Sequence, residues 1–241
     1  MIVLATQWMH SVNNRPEAVE VLARMVMPSK RVAAPGEFMP ATRMSWCDLD
    51  VKIFTILNHD SQLLAFQKPI FVKISPETLA QPYVFGLCAD LLADLVNRKQ
   101  ARIVVEVTRD CPLQAERIGE IINVLHGAGI SVAFDDFGVS NSTAERFDSH
   151  QWDYCKVDLS TLKSSPDLDW LFQLERTCAQ RGTRMVFERI ERFQDVDLLK
   201  GFPTALIQGY AISRPGINNA ADTCKKSVEH HADFANLAQA V

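Results

Sequence analysis

Short runs of apolar residues, rich in Val, Ile and Phe, alternate along the chain with longer segments in which apolar positions recur at helical spacing. Runs of this composition and length are typical of buried strands, and a period near 3.6 residues indicates amphipathic helices. The predicted strands cover residues 2–9, 18–24, 70–75, 102–108, 131–137, 154–159, 184–190 and 205–211. The predicted helices cover residues 45–66, 75–97, 112–129 and 167–182.

Eight strands with intervening helices predict an α/β fold, a closed TIM-like (β/α)8 barrel. Only the short polar segment HSVNNRPE joins the first two strands, which favours a hairpin and makes one strand near the N-terminus antiparallel to the others. An open, doubly wound sheet stays as the alternative, because periodicity alone does not separate it from a closed barrel.

Composition limits the class of protein and its partners. A length of 241 residues, with 47% hydrophobic and 22% charged residues, fits one globular domain over residues 1–241. The net charge of -4 and the pI of about 5.9 argue against duplex nucleic acid and an anionic membrane as partners. Six scattered cysteines without a CxxC pair, together with an N-terminus unlike a signal peptide, predict reduced thiols and a cytoplasmic location.

Charged residues lie inside the predicted strands or at their far ends, where an isolated buried charge is costly. They are Glu20, Lys73, Glu106, Asp135, Asp136, Lys156, Asp158, Glu188 and Glu191. The carboxyl ends of barrel strands converge on one mouth, so we expect the carboxylates to surround one cavity. Clustered hard oxygen ligands favour a divalent-cation site, although the adjacent Asp135 and Asp136 are also compatible with a solvated turn.

Seven segments carry a resemblance to the EAL-domain family, the cyclic di-GMP phosphodiesterases of bacteria. In the family's order and spacing they are VEVLAR, FVKISPETL, VVEVTRD, FDDFGVSNST, YCKVDLS, FERIE and IQGYAISRP, with TQW where the family has Y-Q-P. The resemblance covers roughly residues 5–215. A polar tail over about residues 216–241 is predicted to form a closing helix.

The resemblance implies that two Mg²⁺ or Mn²⁺ ions activate a water, which opens the cyclic dinucleotide to linear pGpG. It implies metal ligands at Glu20, Glu106, Asp135, Asp136 and Glu188. Lys156, near the attacking water, and Glu188 are the implied catalytic residues. The implied ligand-binding residues are Gln7, Arg24, Asp158 and Gln208, with Arg24 on a phosphate.

Four of the departures from the family's pattern bear on the predicted metal site and the residues around it. Lys73 replaces a metal-binding asparagine, and an ammonium about 4 Å from a divalent ion costs roughly 8 kcal/mol at an effective dielectric constant of about 20. Arg109 replaces a glutamate that steadies the loop after the aspartate pair. Ser140 replaces a loop glycine, and Arg189 stands where glycine is usual beside Glu188.

These departures favour a degenerate stand-alone EAL protein with little or no phosphodiesterase activity. Such a protein acts as a regulator by binding cyclic di-GMP, a protein partner that the sequence does not identify, or both, and requires no metal. The alternative is an active or weakly active phosphodiesterase that uses Mg²⁺ or Mn²⁺. A third hypothesis is a barrel whose function is unrelated to nucleotides. A homodimer is one expected assembly, because the loop after the aspartate pair serves the dimer interface in active family members.

Overall fold

The computed structural model describes residues 1–65, 67–109, 111–138, 142–160 and 169–217. The strands are β1 (Ile2–Ser11), β2 (Pro16–Val26), β3 (Val32–Ala33), β4 (Pro69–Lys73), β5 (Arg102–Thr108), β6 (Ser131–Phe137), β7 (Tyr154–Asp158), β8 (Arg184–Glu188) and β9 (Leu206–Ile207). The helices are α1 (Pro35–Phe38), α2 (Trp46–His59), α3 (Ser61–Leu64), α4 (Pro76–Ala80), α5 (Pro82–Lys99), α6 (Ala115–Gly127), α7 (Ser142–Asp148), α8 (Asp169–Arg181) and α9 (Gln194–Asp197), with a 3-10 turn at Met39–Ala41.

Eight of these strands close into a barrel in the order β1-β9-β8-β7-β6-β5-β4-β2, and β1 pairs with β2 to complete the ring. Strand β1 is antiparallel to both of its neighbours, and the remaining barrel pairs are parallel. The two-residue β3 lies outside the ring and pairs with β2. The predicted barrel and its antiparallel N-terminal strand are confirmed, and the open-sheet alternative is wrong.

Two predicted helices are each divided in the structure. The segment 45–66 breaks at Asp60, whose backbone is not helical and whose carboxylate accepts a hydrogen bond from Leu63 N at 2.9 Å, which starts α3. The segment 75–97 breaks at Gln81, because a residue before proline disfavours the helical conformation and Pro82 then begins α5. The predicted caps at Ser45 and Ser75 are present at the starts of α2 and α4.

The barrel interior alternates apolar and polar layers. One layer consists of Met9, Ala18, Phe71, Val104, Ala133, Val186 and Leu206, with Tyr154 packed against it. Successive side chains on a strand point to opposite faces, so the next inward position on each strand lies two residues away. A separate, larger apolar cluster packs the outer faces of the strands against the helices.

Strand β9 is shorter than the predicted 205–211. A Cβ atom at Gly209 would lie 2.2 Å from the carbonyl oxygen of Ile190, so the chain passes close to the end of β8 and leaves the sheet there. In the described part of the chain, no helix is long and apolar enough to cross a membrane. The predicted C-terminal helix lies outside the described residues from position 218 onward.

Candidate functional site

The polar layer at the barrel mouth lies two residues from the apolar layer on every strand, toward the carboxyl ends of the parallel strands. Each of the eight barrel strands, or the residue directly after it, contributes one side chain. They are Gln7, Glu20, Lys73, Glu106, Asp135, Lys156, Glu188 and Gln208. Because strand periodicity puts them on one inward face, residues far apart in sequence form one site.

Lys156 is the buried cation at the centre of this layer, with no side-chain exposure. Its Nζ lies 2.6 Å from Glu106 Oε1 and 2.8 Å from Glu188 Oε1. Asp135 Oδ1 and Glu20 Oε2 follow at 3.5 Å and 3.7 Å. Four carboxylates from four strands therefore share one ammonium.

Lys73 brings a second ammonium to the same carboxylates. It donates a short hydrogen bond to Asp135 Oδ2, and its Nζ lies 2.8 Å from Glu106 Oε2 and 3.8 Å from Glu20 Oε1. The side chain as a whole is 46% exposed, so it reaches the carboxylates from the open side of the mouth.

Burial and charge set the protonation of this layer. Burial lowers the pKa of each lysine, but the neighbouring carboxylates outweigh this effect and raise both pKa values well above the ordinary range. The strongest of these neighbours is Glu106 for Lys73 and Asp135 for Lys156. Burial also raises the pKa of Asp135, yet the two ammoniums hold that pKa far below its usual value. Burial raises the pKa of Glu188 to about 8 and, with the nearby Glu20, raises that of Glu106.

One group of oxygens fits a divalent cation. Carboxylate oxygens of Asp135, Asp136 and Glu188 all lie within 4.8 Å of one another. Asp136 has a left-handed backbone, with φ of 61°, and its carbonyl accepts a hydrogen bond from Arg109 Nη1 at 3.3 Å. These hard oxygen donors suit Mg²⁺ or Mn²⁺. Two of these carboxylates also pair with the lysines: Asp135 contacts both ammoniums, and Glu188 contacts Lys156.

A cavity of about 420 Å³ opens above this layer. Gln208 Nε2 donates to Glu20 Oε2 at 2.6 Å, and Gln7 Nε2 donates to the carbonyl of Ser213 at 2.8 Å, so both amides are fixed in its wall. The other wall residues are Glu20, Lys73, Asp135, Asp136, Glu188, Arg189, Glu191, Gly209 and Tyr210.

The structure does not bring every predicted ligand-binding residue to the cavity. Arg24 is not among the described residues of its wall, and Arg24 Nη1 donates to the adjacent carbonyl of Ala23 at 2.8 Å. Asp158 lies below the surface with 7% side-chain exposure, paired with Arg189 at 3.2 Å. Sequence reasoning missed Tyr210, for which the QGY segment was the available signal.

A model of the EAL domain family matches residues 4–215. The chain therefore belongs to the EAL domain family. Among the curated relatives, it is 26% identical over 211 residues to the probable cyclic di-GMP phosphodiesterase PdeG of Escherichia coli, covering 82% of this chain and 41% of PdeG. The chain spans between 25% and 57% of the length of the first four curated relatives that it matches.

Solved structures share the barrel fold. The EAL domain protein from Listeria monocytogenes superposes with a TM-score of 0.76 at 19% identity, covering 90% of this chain and 89% of that one. The Bacillus subtilis YkuI protein, solved with cyclic di-GMP and calcium, gives a TM-score of 0.75 at 18% identity, covering 99% of this chain and 62% of that one. At these identities the likeness establishes the fold alone.

Proposed function

We propose that this domain binds cyclic di-GMP in the mouth cavity and hydrolyses it slowly or not at all, acting as a degenerate regulatory member of its family. The observation that carries the proposal is the position of the Lys73 ammonium, which contacts carboxylates of Glu106 and Asp135. The EAL family resemblance implies a metal-binding asparagine at this position.

The chemistry of lysine supports this interpretation. An ammonium carries three donors and no acceptor, so it cannot ligate a metal, whereas it can neutralise the carboxylates that a metal would otherwise neutralise. The raised pKa of Lys73 keeps it charged at neutral pH. A divalent ion beside it would meet direct repulsion, and we infer that Lys73 acts as a tethered cation in the place of the first ion.

The oxygens of Asp135, Asp136 and Glu188 lie close enough together to hold one ion, which would share Asp135 with both ammoniums and Glu188 with Lys156. Such an ion supplies positive charge for a phosphate oxygen. Lys156 holds Glu106 and Glu188 in place, and the amides of Gln7 and Gln208 offer hydrogen-bonding groups to a nucleotide.

Weak phosphodiesterase activity is the second candidate. It is favoured by the three-carboxylate group and by Lys156, which stays charged beside it. The names of the curated relatives support the same reaction class, although this chain spans only part of their length.

The regulatory role, a protein partner, a homodimer and a cytoplasmic location belong to the same proposal. The five cysteines described as free are all buried, which agrees with reduced structural thiols. Residues 139–141, in the loop that serves the family's dimer interface, lie outside the described residues.

Incubation with cyclic di-GMP and Mn²⁺ tests the proposal, with binding followed by calorimetry and pGpG by chromatography. We expect saturable binding with little pGpG from the wild-type domain. The double variant Lys73→Asn with Arg109→Glu restores the family's residue at both positions and should form more pGpG than Lys73→Asn alone. Rapid Mn²⁺-dependent pGpG formation by wild type would refute the proposal that the domain is a degenerate member of its family. If wild type does not bind cyclic di-GMP at all, the proposed ligand is wrong.

A further inference from the structure

Arg189 has an unusual backbone at the end of β8. Its φ is 58°, in the left-handed region that residues with a side chain seldom adopt. The next residue, Ile190, is fully buried, its N–H donates to Gln208 O at 3.0 Å, and its carbonyl accepts from Ala211 N at 3.0 Å. Such strain persists where the surroundings over-determine it, and it clusters at binding sites.

The side chain of Arg189 lies in the cavity wall and is 67% exposed. Its Nη1 pairs with Asp158 Oδ2 at 3.2 Å, and the other oxygen of Asp158 accepts from Ser160 N at 2.8 Å. A guanidinium has five N–H donors, so an ion pair through one nitrogen leaves donors for a second anionic partner. Asp158 therefore limits where the guanidinium lies without using up its hydrogen-bonding capacity.

The charge of the cavity indicates which kind of ligand group Arg189 can bind. Its acidic wall residues are Glu20, Asp135, Asp136, Glu188 and Glu191. Among the described wall residues the basic ones are Lys73 and Arg189, and the Lys73 ammonium already contacts carboxylates. A phosphate-bearing ligand that enters this acidic cavity needs a cation, and Arg189 presents one at the rim.

We propose that Arg189 is a specificity-determining residue that binds an anionic phosphate group of the ligand, with Asp158 as its positioning residue. This inference rests on the proposed function, because it assigns part of the dinucleotide's recognition to Arg189. Arginine suits phosphate better than lysine does, since its planar fork donates two parallel hydrogen bonds. In this domain the rim arginine supplies positive charge to the phosphate in a cavity whose wall is mostly acidic.

The test compares Arg189→Gly with wild type by calorimetric titration of cyclic di-GMP at low and high NaCl. Glycine accepts the left-handed backbone, so the variant removes the guanidinium without adding strain. We expect binding about tenfold weaker, from the loss of a charge-assisted hydrogen bond, and a smaller dependence on salt. Arg189→Lys should retain the salt dependence and lose part of the affinity.

Arg192→Ala is the matched control. Arg192 is also 67% exposed and also pairs with an aspartate, Asp195 at 3.7 Å, but it is not a wall residue. Its removal should leave cyclic di-GMP affinity and salt dependence unchanged. If wild type binds and Arg189→Gly binds equally well or more tightly, the role of Arg189 is refuted while the proposed function stands. If wild type does not bind cyclic di-GMP, both are refuted.

Discussion

Replacing Lys156 by methionine removes the buried ammonium around which the polar layer is built. Methionine has a similar length and no charge, so the change isolates electrostatics from packing. The ammonium lies within 3.7 Å of oxygens from Glu20, Glu106, Asp135 and Glu188. After its removal, Lys73 still pairs with Glu20, Glu106 and Asp135.

The expected loss follows from breaking a buried ion pair. Removing one partner of such a pair costs about 3–5 kcal/mol, because the other charges stay buried without compensation. For a chain of this size, each kcal/mol lowers the melting temperature by about 2–4 °C. We therefore expect the melting temperature of Lys156→Met at pH 7 to fall by about 6–20 °C.

The stability difference between wild type and Lys156→Met should depend on pH. In wild type the pKa of Asp135 is held below its unfolded value, so its stabilising contribution is present above about pH 4 and is lost as pH falls through the folded pKa. In Lys156→Met that pKa rises, and the crowded carboxylates take up protons at higher pH. The stability difference between the two proteins should therefore shrink from pH 7 to pH 4.

Thermal and urea denaturation of both proteins at several pH values measure the effect. Lys200→Met is the control, because Lys200 is 74% exposed and its pair with Asp197 is on the surface. That variant should melt within about 2 °C of wild type, since surface pairs contribute little. A Lys156→Met protein as stable as wild type at pH 7 would mean that the ammonium does not hold the layer together.

Substitutions at three further positions test the packing and hydrogen bonding of the barrel. Gly209→Ala should destabilise the domain by more than about 2 kcal/mol in urea denaturation, because its Cβ would overlap the Ile190 carbonyl. Gly86→Ala, within α5 and with nothing within 4 Å of the added Cβ, should instead stabilise the domain by up to about 1 kcal/mol. Asp50→Ala should lower the free energy of unfolding by about 1–3 kcal/mol, because Ser75 N–H and the Thr78 hydroxyl lose their acceptor. Asp50→Asn keeps an acceptor oxygen and should lower it less. Equal losses for the two variants would contradict this role of Asp50.

The fold was predictable because its signals are local. Apolar runs identified all eight barrel strands, and the short link before Pro16 indicated that β1 is antiparallel. The helix breaks at Asp60 and Gln81 do have local signals, an N-cap residue and a residue before proline. They were not predicted, because the apolar residues keep their helical spacing across both breaks. The two-residue β3 has no periodicity to detect.

The site was predictable as a set of inward positions and not as a set of contacts. Strand alternation and closure place Glu106, Asp135 and Lys156 together. The direction of a long side chain follows from neighbours that only the folded structure supplies. For this reason the sequence did not predict that Arg24 bonds to the adjacent carbonyl or that Arg189 lines the cavity.

The most direct test of the central claim is the number of Mn²⁺ ions that the wild-type domain binds, measured by calorimetry beside Lys73→Asn. If the Lys73 ammonium holds the place of one ion, wild type should bind at most one Mn²⁺ per chain. Lys73→Asn removes a positive charge and supplies a carbonyl oxygen, so it should bind a second ion or bind Mn²⁺ at least about tenfold more tightly. Two ions bound to wild type with the affinity of Lys73→Asn would contradict the account.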